Sequence, residues 1–428
     1  MSTSHPDGTP RRKRRLNVLV AVLAAFMLIA AACGDDDDDG GSSSEGGGGS
    51  SSGTEEEGGG VSGDPVKIGV IASLSGPAAQ IGEDQVAGLE LKVEELNAAD
   101  GILGRPVELI VKDDGGDPTK ASQVMRELVD QEEVKLVFGP TLSSPALASA
   151  PIAMDAGVLM FPTSVAPELG DPGEFPYVFR AAPPATLQAQ TFADYIEAAG
   201  WTKVGLLAVN NALGSSNVEA FKGIVAGSDI EIVDTQTFET GAVDVGPQIG
   251  NLERAGAEVV LALSTAVPDQ VASVKARNAI EWDVPILGFS TMANPLMVDG
   301  VGGLANLKDV YAGQQYLYLT QGNPPSQTEE FLEKMREKRG ETALTRDVAQ
   351  SAAGYDVLTM MAEAINEVGD LDDPDALAAA VEDGSPWDLV KGVYEYSAES
   401  HEGDSLDTLA FVVAGSFEDG LYELAPNQ

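Results

Sequence analysis

Along most of the chain, short apolar runs alternate with longer stretches whose apolar residues recur every three or four positions. The first run, Val66–Leu74 (VKIGVIASL), is nearly continuous, which predicts a parallel strand covered on both faces. A glycine-containing turn follows. Val86, Leu89, Val93 and Leu96 then keep helical spacing within 82–99, and Gly101 stops that helix. The alternation continues through strand 107–112, helix 118–132 behind Asp117, strand 134–138, helix 145–156 and strand 158–161. After Pro183 and Pro184 it restarts. Helices over 185–199, 215–226, 243–255 and 269–279 interleave with strands over 203–209, 231–237, 258–263 and 284–287. A strand over Val310–Gln314 and long helices over 327–339 and 347–367 come last and look like a return to the first unit. This order predicts an α/β protein of two doubly wound, Rossmann-like lobes, each a parallel sheet with helices on both faces. Two such sheets facing each other place their strand ends at a shared cleft, where ligands bind in folds of this kind.

The N-terminal part reads differently. Arg11–Arg15 (RRKRR) precede an apolar stretch from Leu16 to Ala31, and the small residues Ala30, Ala31 and Ala32 lead to Cys33, the only cysteine. A cationic head, an apolar core and small residues before a thiol form a secretion signal of the lipoprotein kind, so residues 1–32 read as a signal peptide and Cys33 as the lipidated residue. An uncleaved membrane span is the alternative, but the run is short of the roughly 20 apolar residues a span needs. Residues 33–63 are almost entirely Gly, Ser, Asp and Glu, too polar to offset their ordering entropy. They read as a disordered tether, and about 30 flexible residues span roughly 30 Å.

Composition narrows the chemistry. The chain has 68 Asp and Glu against 25 Lys and Arg, a net charge of −43, which argues against binding nucleic acid. The membrane is then reached only through the lipid anchor, on the outer face of the cell membrane. One histidine, His401, remains beyond the signal, too few for a zinc site or a Ser-His-Asp triad. Residues 139–144 lack the ending of a phosphate loop, and no nucleophile elbow is present. Asp113 and Asp114, without supporting metal ligands, read as a capping or loop pair. No cofactor, metal or catalytic role is expected.

Several segments are similar to those of known proteins. Val66–Pro77 (VKIGVIASLSGP) and Asn97–Leu109 (NAADGILGRPVEL), followed by Asp113-Asp114 and Asp117-Pro118, resemble type I periplasmic binding proteins. So do Phe138–Ser144 (FGPTLSS) and Phe161–Leu169 (FPTSVAPEL), and the closest group is the branched-chain amino-acid-binding proteins of ABC importers. The resemblance runs from about Val66 to the C-terminus and implies two lobes that close on a small ligand about a hinge of three chain crossings. These fall near Ala181–Pro183, Val310–Gly313 and Tyr396–Glu399, giving one lobe from 64–182 and 313–398 and another from 183–312 and 399–428. It also implies a monomer that docks on a permease driven by an ATPase on other chains. The same fold serves ligand sensors, which for a tethered chain require a signalling partner.

The site follows residue by residue. Ser143-Ser144-Pro145 reads as a helix start with a serine cap and proline at the first helical position. Helix N-termini attract carboxylates, and the resemblance implies that Ser143 donates a hydrogen bond to the ligand's carboxylate. Thr163 and Ser164 offer further hydroxyls, but Val165 stands where the amino-acid binders carry a threonine that helps hold an ammonium. The family's acidic partner for that ammonium falls at Ser290, and its aromatic walls at Ile81, Leu213 and Ala266. A serine cannot neutralise a buried ammonium, and an unpaired buried charge costs several kcal/mol. The expected ligand is therefore an amino acid or a related small carboxylate or amide, and the missing acidic partner favours one without an α-ammonium in a pocket walled by Ile81, Leu142, Leu213 and Ala266.

Overall fold

The computed structural model describes residues 61–322 and 324–427. The signal segment, Cys33 and the tether as far as residue 60 lie outside the described residues. Ser62 N–H already donates to the Gly104 carbonyl at 3.0 Å, so the folded part starts slightly before Asp64. The described residues belong to one compact unit.

In the first half, β1 (Val66–Ala72), α1 (Ala79–Ala98), β2 (Val107–Asp113), α2 (Pro118–Asp130), β3 (Leu136–Phe138), α3 (Ser143–Ala156) and β4 (Leu159–Phe161) alternate strictly. Their strands form a parallel sheet of order β2-β1-β3-β4. The strands are apolar on both faces because helices cover both. Ile68, Val70 and Ala72 of β1 join one core cluster, while Ile71 joins the cluster on the other face.

The second half repeats the scheme with α4 (Ala185–Ala198), β5 (Lys203–Val209), α5 (Ala212–Ile224), β6 (Glu231–Phe238), α6 (Gly246–Ala255), β7 (Val259–Leu263), α7 (Val267–Ala279), β8 (Ile286–Gly288), α8 (Leu296–Val301) and β9 (Val310–Tyr316). After it come α9 (Ser326–Arg339), α10 (Val348–Val368), α11 (Pro374–Asp383), β10 (Trp387–Asp388), β11 (Val393–Ser397), β12 (Ser400–Asp404) and β13 (Leu409–Val413). The second sheet has order β13-β9-β8-β7-β5-β6, parallel except where β13 runs against β9. Val204, Leu206 and Ala208 face one core and Leu207 and Val209 the other, the period-2 alternation of a doubly covered strand.

Two sequence expectations need correction. The strand over Val310–Gln314 does not return to the first sheet: β9 continues to Tyr316 and bonds to β8 on one side and β13 on the other. Of the residues from 399 on, expected with the second lobe, 400–404 form β12 instead. It pairs with β11, whose Tyr394 and Tyr396 sit in the first sheet's core, and the His401 carbonyl accepts from Arg180 N–H at 3.0 Å. Passage back to the second sheet comes at 405–408, just before β13.

The late helix α10 lies against α1 with the two backbones almost touching. A Cβ on Gly88 would stand 1.8 Å from the Ser351 carbonyl oxygen, and one on Gly354 would stand 2.2 Å from that of Gln85. Only glycine permits this approach, which brings the side chains of Gln85 and Gln350 together beneath the cleft.

Candidate functional site

The C-terminal ends of both parallel sheets open on a cavity of about 100 Å³, which continues into a neighbouring chamber of about 260 Å³. Ile81, Leu142, Ser143, Leu213 and Thr265 line both. A cavity of roughly 150 Å³ holds a benzene-sized molecule, so the two together suit a small organic ligand.

Eight of the nine candidate ligand residues from the sequence meet in the inner cavity: Ile81, Leu142, Ser143, Thr163, Ser164, Val165, Leu213 and Ser290. Ala266 lines only the outer chamber. Ile81 and Leu213 sit in the first turns of α1 and α5, so each sheet contributes one aliphatic wall.

The helix start differs from the sequence reading. Leu142, not a serine, occupies the cap position of α3, with extended backbone and no side-chain cap bond. Ser143 and Ser144 open the helix and Pro145 follows inside its first turn, where a missing N–H leaves no bond unmade. The loop before it reaches the cleft by crossing close over β1. A Cβ on Gly139, whose φ is +90°, would lie 1.9 Å from the Ile71 carbonyl oxygen.

Because Ser143 does not cap, its hydroxyl is available elsewhere. Ala166 N–H donates to Ser164 Oγ at 3.1 Å, and Ser164 Oγ donates to Ser143 Oγ at 3.1 Å. Ser143's own proton is the next link in this chain, and the residue lines the cavity at the N-terminus of α3, where the helix is electropositive. Thr163 is already committed, accepting from Gln85 Nε2 at 2.9 Å and donating to the Thr141 carbonyl at 3.4 Å. Of the Asp113-Asp114 pair expected in a loop, Asp113 ends β2 and the fully buried Asp114 follows it. Desolvation of Asp113 is outweighed by hydrogen bonds from Ser75, Lys120 and the backbone, which hold its carboxyl below the usual range.

Sequence reasoning missed the polar floor of the cleft. Thr141 Oγ1 donates to Gln85 Oε1 at 3.0 Å, and Gln85 Nε2 donates to Gln350 Oε1 at 2.9 Å, leaving the Gln350 amide as a donor toward the cavity. Gln188 and Lys391 also line it. The Lys391 ammonium lies 3.1 Å from Asp404 Oδ1 and donates to the Ala181 carbonyl at 3.1 Å, so it holds the first crossing as well as the cavity wall. One signal could have found Gln85. It stands four residues before Leu89 on the buried face of α1 and is fully buried, an expensive place for an amide without a purpose. Gln350 and Lys391 arrive from the far end of the chain and carry no local motif.

Among the described residues that line either chamber, none is Asp or Glu. For a chain of net charge −43, that is a local inversion of character.

Two wound sheets meeting at a ligand-sized cleft define a binding protein. The chain belongs to the periplasmic binding protein family, which matches residues 65–414. It is 27% identical over 334 residues to Leu/Ile/Val-binding protein homolog 3 of Brucella melitensis, covering 78% of this chain and 87% of that one. Among solved structures, it matches the branched-chain amino acid transporter substrate-binding protein of Streptococcus pneumoniae in complex with isoleucine. That match has a TM-score of 0.71 and 21% identity, covering 85% of this chain and 99% of the other. An ABC transporter solute-binding protein of R. palustris in complex with benzoate matches with a TM-score of 0.72 and 18% identity, covering 85% and 99%. These relatives are solute-binding proteins, not enzymes. The fold therefore accommodates both a zwitterion and an acid without an ammonium, and side chains must decide between them.

Proposed function

We propose that this chain is an extracytoplasmic solute-binding lipoprotein, anchored through Cys33, that captures a small carboxylate or amide without an α-ammonium and delivers it to an ABC importer permease. One observation carries the ligand reading: the cleft ends a hydrogen-bond chain on the Ser143 hydroxyl at a helix N-terminus and is lined by no acidic side chain. The hydroxyl, the α3 N–H groups and Lys391 favour a carboxylate. Nothing anionic among the lining residues receives an ammonium. The acidic surface repels anions at long range, but salt screens this beyond roughly 8 Å, and no acidic side chain lines the cleft itself.

Thermal-shift measurements on the purified chain against amino acids, short-chain acids, aromatic acids and amides test this. A cognate acid at 100-fold excess over its dissociation constant should add roughly 2.7 kcal/mol of stability. Ser143→Ala removes a hydrogen bond to a charged group worth about 1.5–3 kcal/mol, so affinity should fall by about ten- to a hundredfold. Tight leucine binding insensitive to that substitution would contradict the reading. Anchoring has its own check. Cys33→Ser should abolish fatty-acid labelling and shift the protein out of the membrane fraction, whereas unchanged membrane association would point to an uncleaved span.

A further inference from the structure

Gln188, in α4, lines the inner cavity yet is only 2% exposed. Its Nε2 donates to the Pro183 carbonyl at 2.8 Å. A carbonyl only accepts, so this bond fixes which way round the amide lies and turns Oε1 away from Pro183. That Oε1 is buried and meets no hydrogen-bond partner among the described residues. Thr291, in the turn after β8, repeats the situation: it lines the same cavity at 2% exposure, and its hydroxyl meets no partner there. Buried acceptors are rarely left unsatisfied, because desolvation is uncompensated. Here both residues that carry the uncompensated groups line a ligand cavity.

We infer that Gln188 Oε1, seconded by the Thr291 hydroxyl, reads a neutral hydrogen-bond donor on the ligand, so that the cargo is a carboxylate bearing an O–H or amide N–H group. This rests on the reading that the carboxylate sits at Ser143. The donor is neutral because no lining residue is Asp or Glu and the nearby Asp404 carboxylate is already paired with Lys391, so a ligand cation would find no counter-charge. An acid with only hydrocarbon at that point leaves Gln188 Oε1 buried and unpaired. Sites built to hydrogen-bond a substrate O–H or N–H discriminate strongly against the analogue that lacks it.

Isothermal titration of the full chain decides the matter. The probes are 3-methylbutanoate and benzoate, each beside its ring- or chain-hydroxylated and carboxamide-substituted counterparts, with valine as the zwitterion. At least one substituted acid should bind ten times or more tighter than its unsubstituted parent. Gln188→Met should bring that ratio close to one, while Thr291→Val should reduce it less. The wild-type comparison needs no variant, so it stands even if Gln188→Met loosens the crossing at Pro183. Parents that bind as tightly as every substituted partner overturn the role of Gln188 and leave the carboxylate reading intact. Valine binding tighter than any of the acids overturns both.

Discussion

Replacing Lys391 with methionine is expected to destabilise the protein by about 3–5 kcal/mol, the usual cost of removing one partner from a buried ion pair. Lys391 and Asp404 side chains are each 2% exposed, and Lys391 Nζ also lies 4.8 Å from the centre of the Tyr394 ring. Methionine fills much of the same volume but leaves the Asp404 carboxylate without its adjacent cation. Arg180, buried within electrostatic reach of Asp404, moderates the loss without replacing the contact. The variant also releases the Ala181 carbonyl, so carboxylate affinity should fall alongside stability. Urea unfolding of Lys391→Met, Asp404→Asn and the double variant gives the coupling. The double variant should be more stable than Lys391→Met alone, because neither charge of the pair is left behind without the other. If the two single effects simply add, the pair contributes nothing of its own.

That ion pair illustrates what local sequence carries and what it does not. The wound lobes are legible because covered strands make apolar runs and the intervening helices keep a 3.6-residue period, with glycine and proline marking the turns. The fate of a strand is different. Nothing within Val310–Tyr316 says whether its neighbour is β8 or a strand of the first sheet, since that depends on partners distant in the chain. The site divides along the same line. Ser143 opens α3 and Thr163 and Ser164 follow β4, so a local motif exposes them. Gln188, Gln350 and Lys391 each enter the cavity as one side chain from a separate segment, placed by packing such as the Gly88–Ser351 approach. At Ser143 the local motif marks the cleft-facing turn but not the cap, because Leu142 takes that position.

Raising the pH from 5 to 8 should lower the stability of the protein by several kcal/mol, and part of that loss should vanish in Asp347→Asn. Burial pushes Asp84 up to about 7, with repulsion from Asp347 adding to it, against the opposing pull of Arg346. Burial likewise raises Asp347 to about 6, partly offset by the N–H groups of Gln350 and Ala349 at the start of α10. Asp356 rises to about 7 for the same reason, despite accepting from Val390 and Lys391 N–H at 3.0 and 2.9 Å. In the unfolded chain such carboxyls titrate near 3.9. The native state therefore binds more protons between about pH 4 and 7. The stabilisation is complete below the unfolded value and is lost as pH rises through 6–7. Arg346, ion-paired with Glu83 and Asp84, stays cationic throughout and cannot reverse that sign. General repulsion among the surface carboxylates acts in the same direction, which is why the variant matters. Asp347→Asn leaves that background almost unchanged, removes one buried charge and relieves Asp84. Its stability should exceed that of the parent by about 1–3 kcal/mol at pH 8 and by about half as much at pH 5, the two converging below about pH 4. Urea unfolding at pH 5, 6, 7 and 8 reads the difference directly. Parallel curves for parent and variant would mean that Asp347 is already ionised in the folded protein at pH 5, as it is in the unfolded chain, and contributes nothing to the pH dependence.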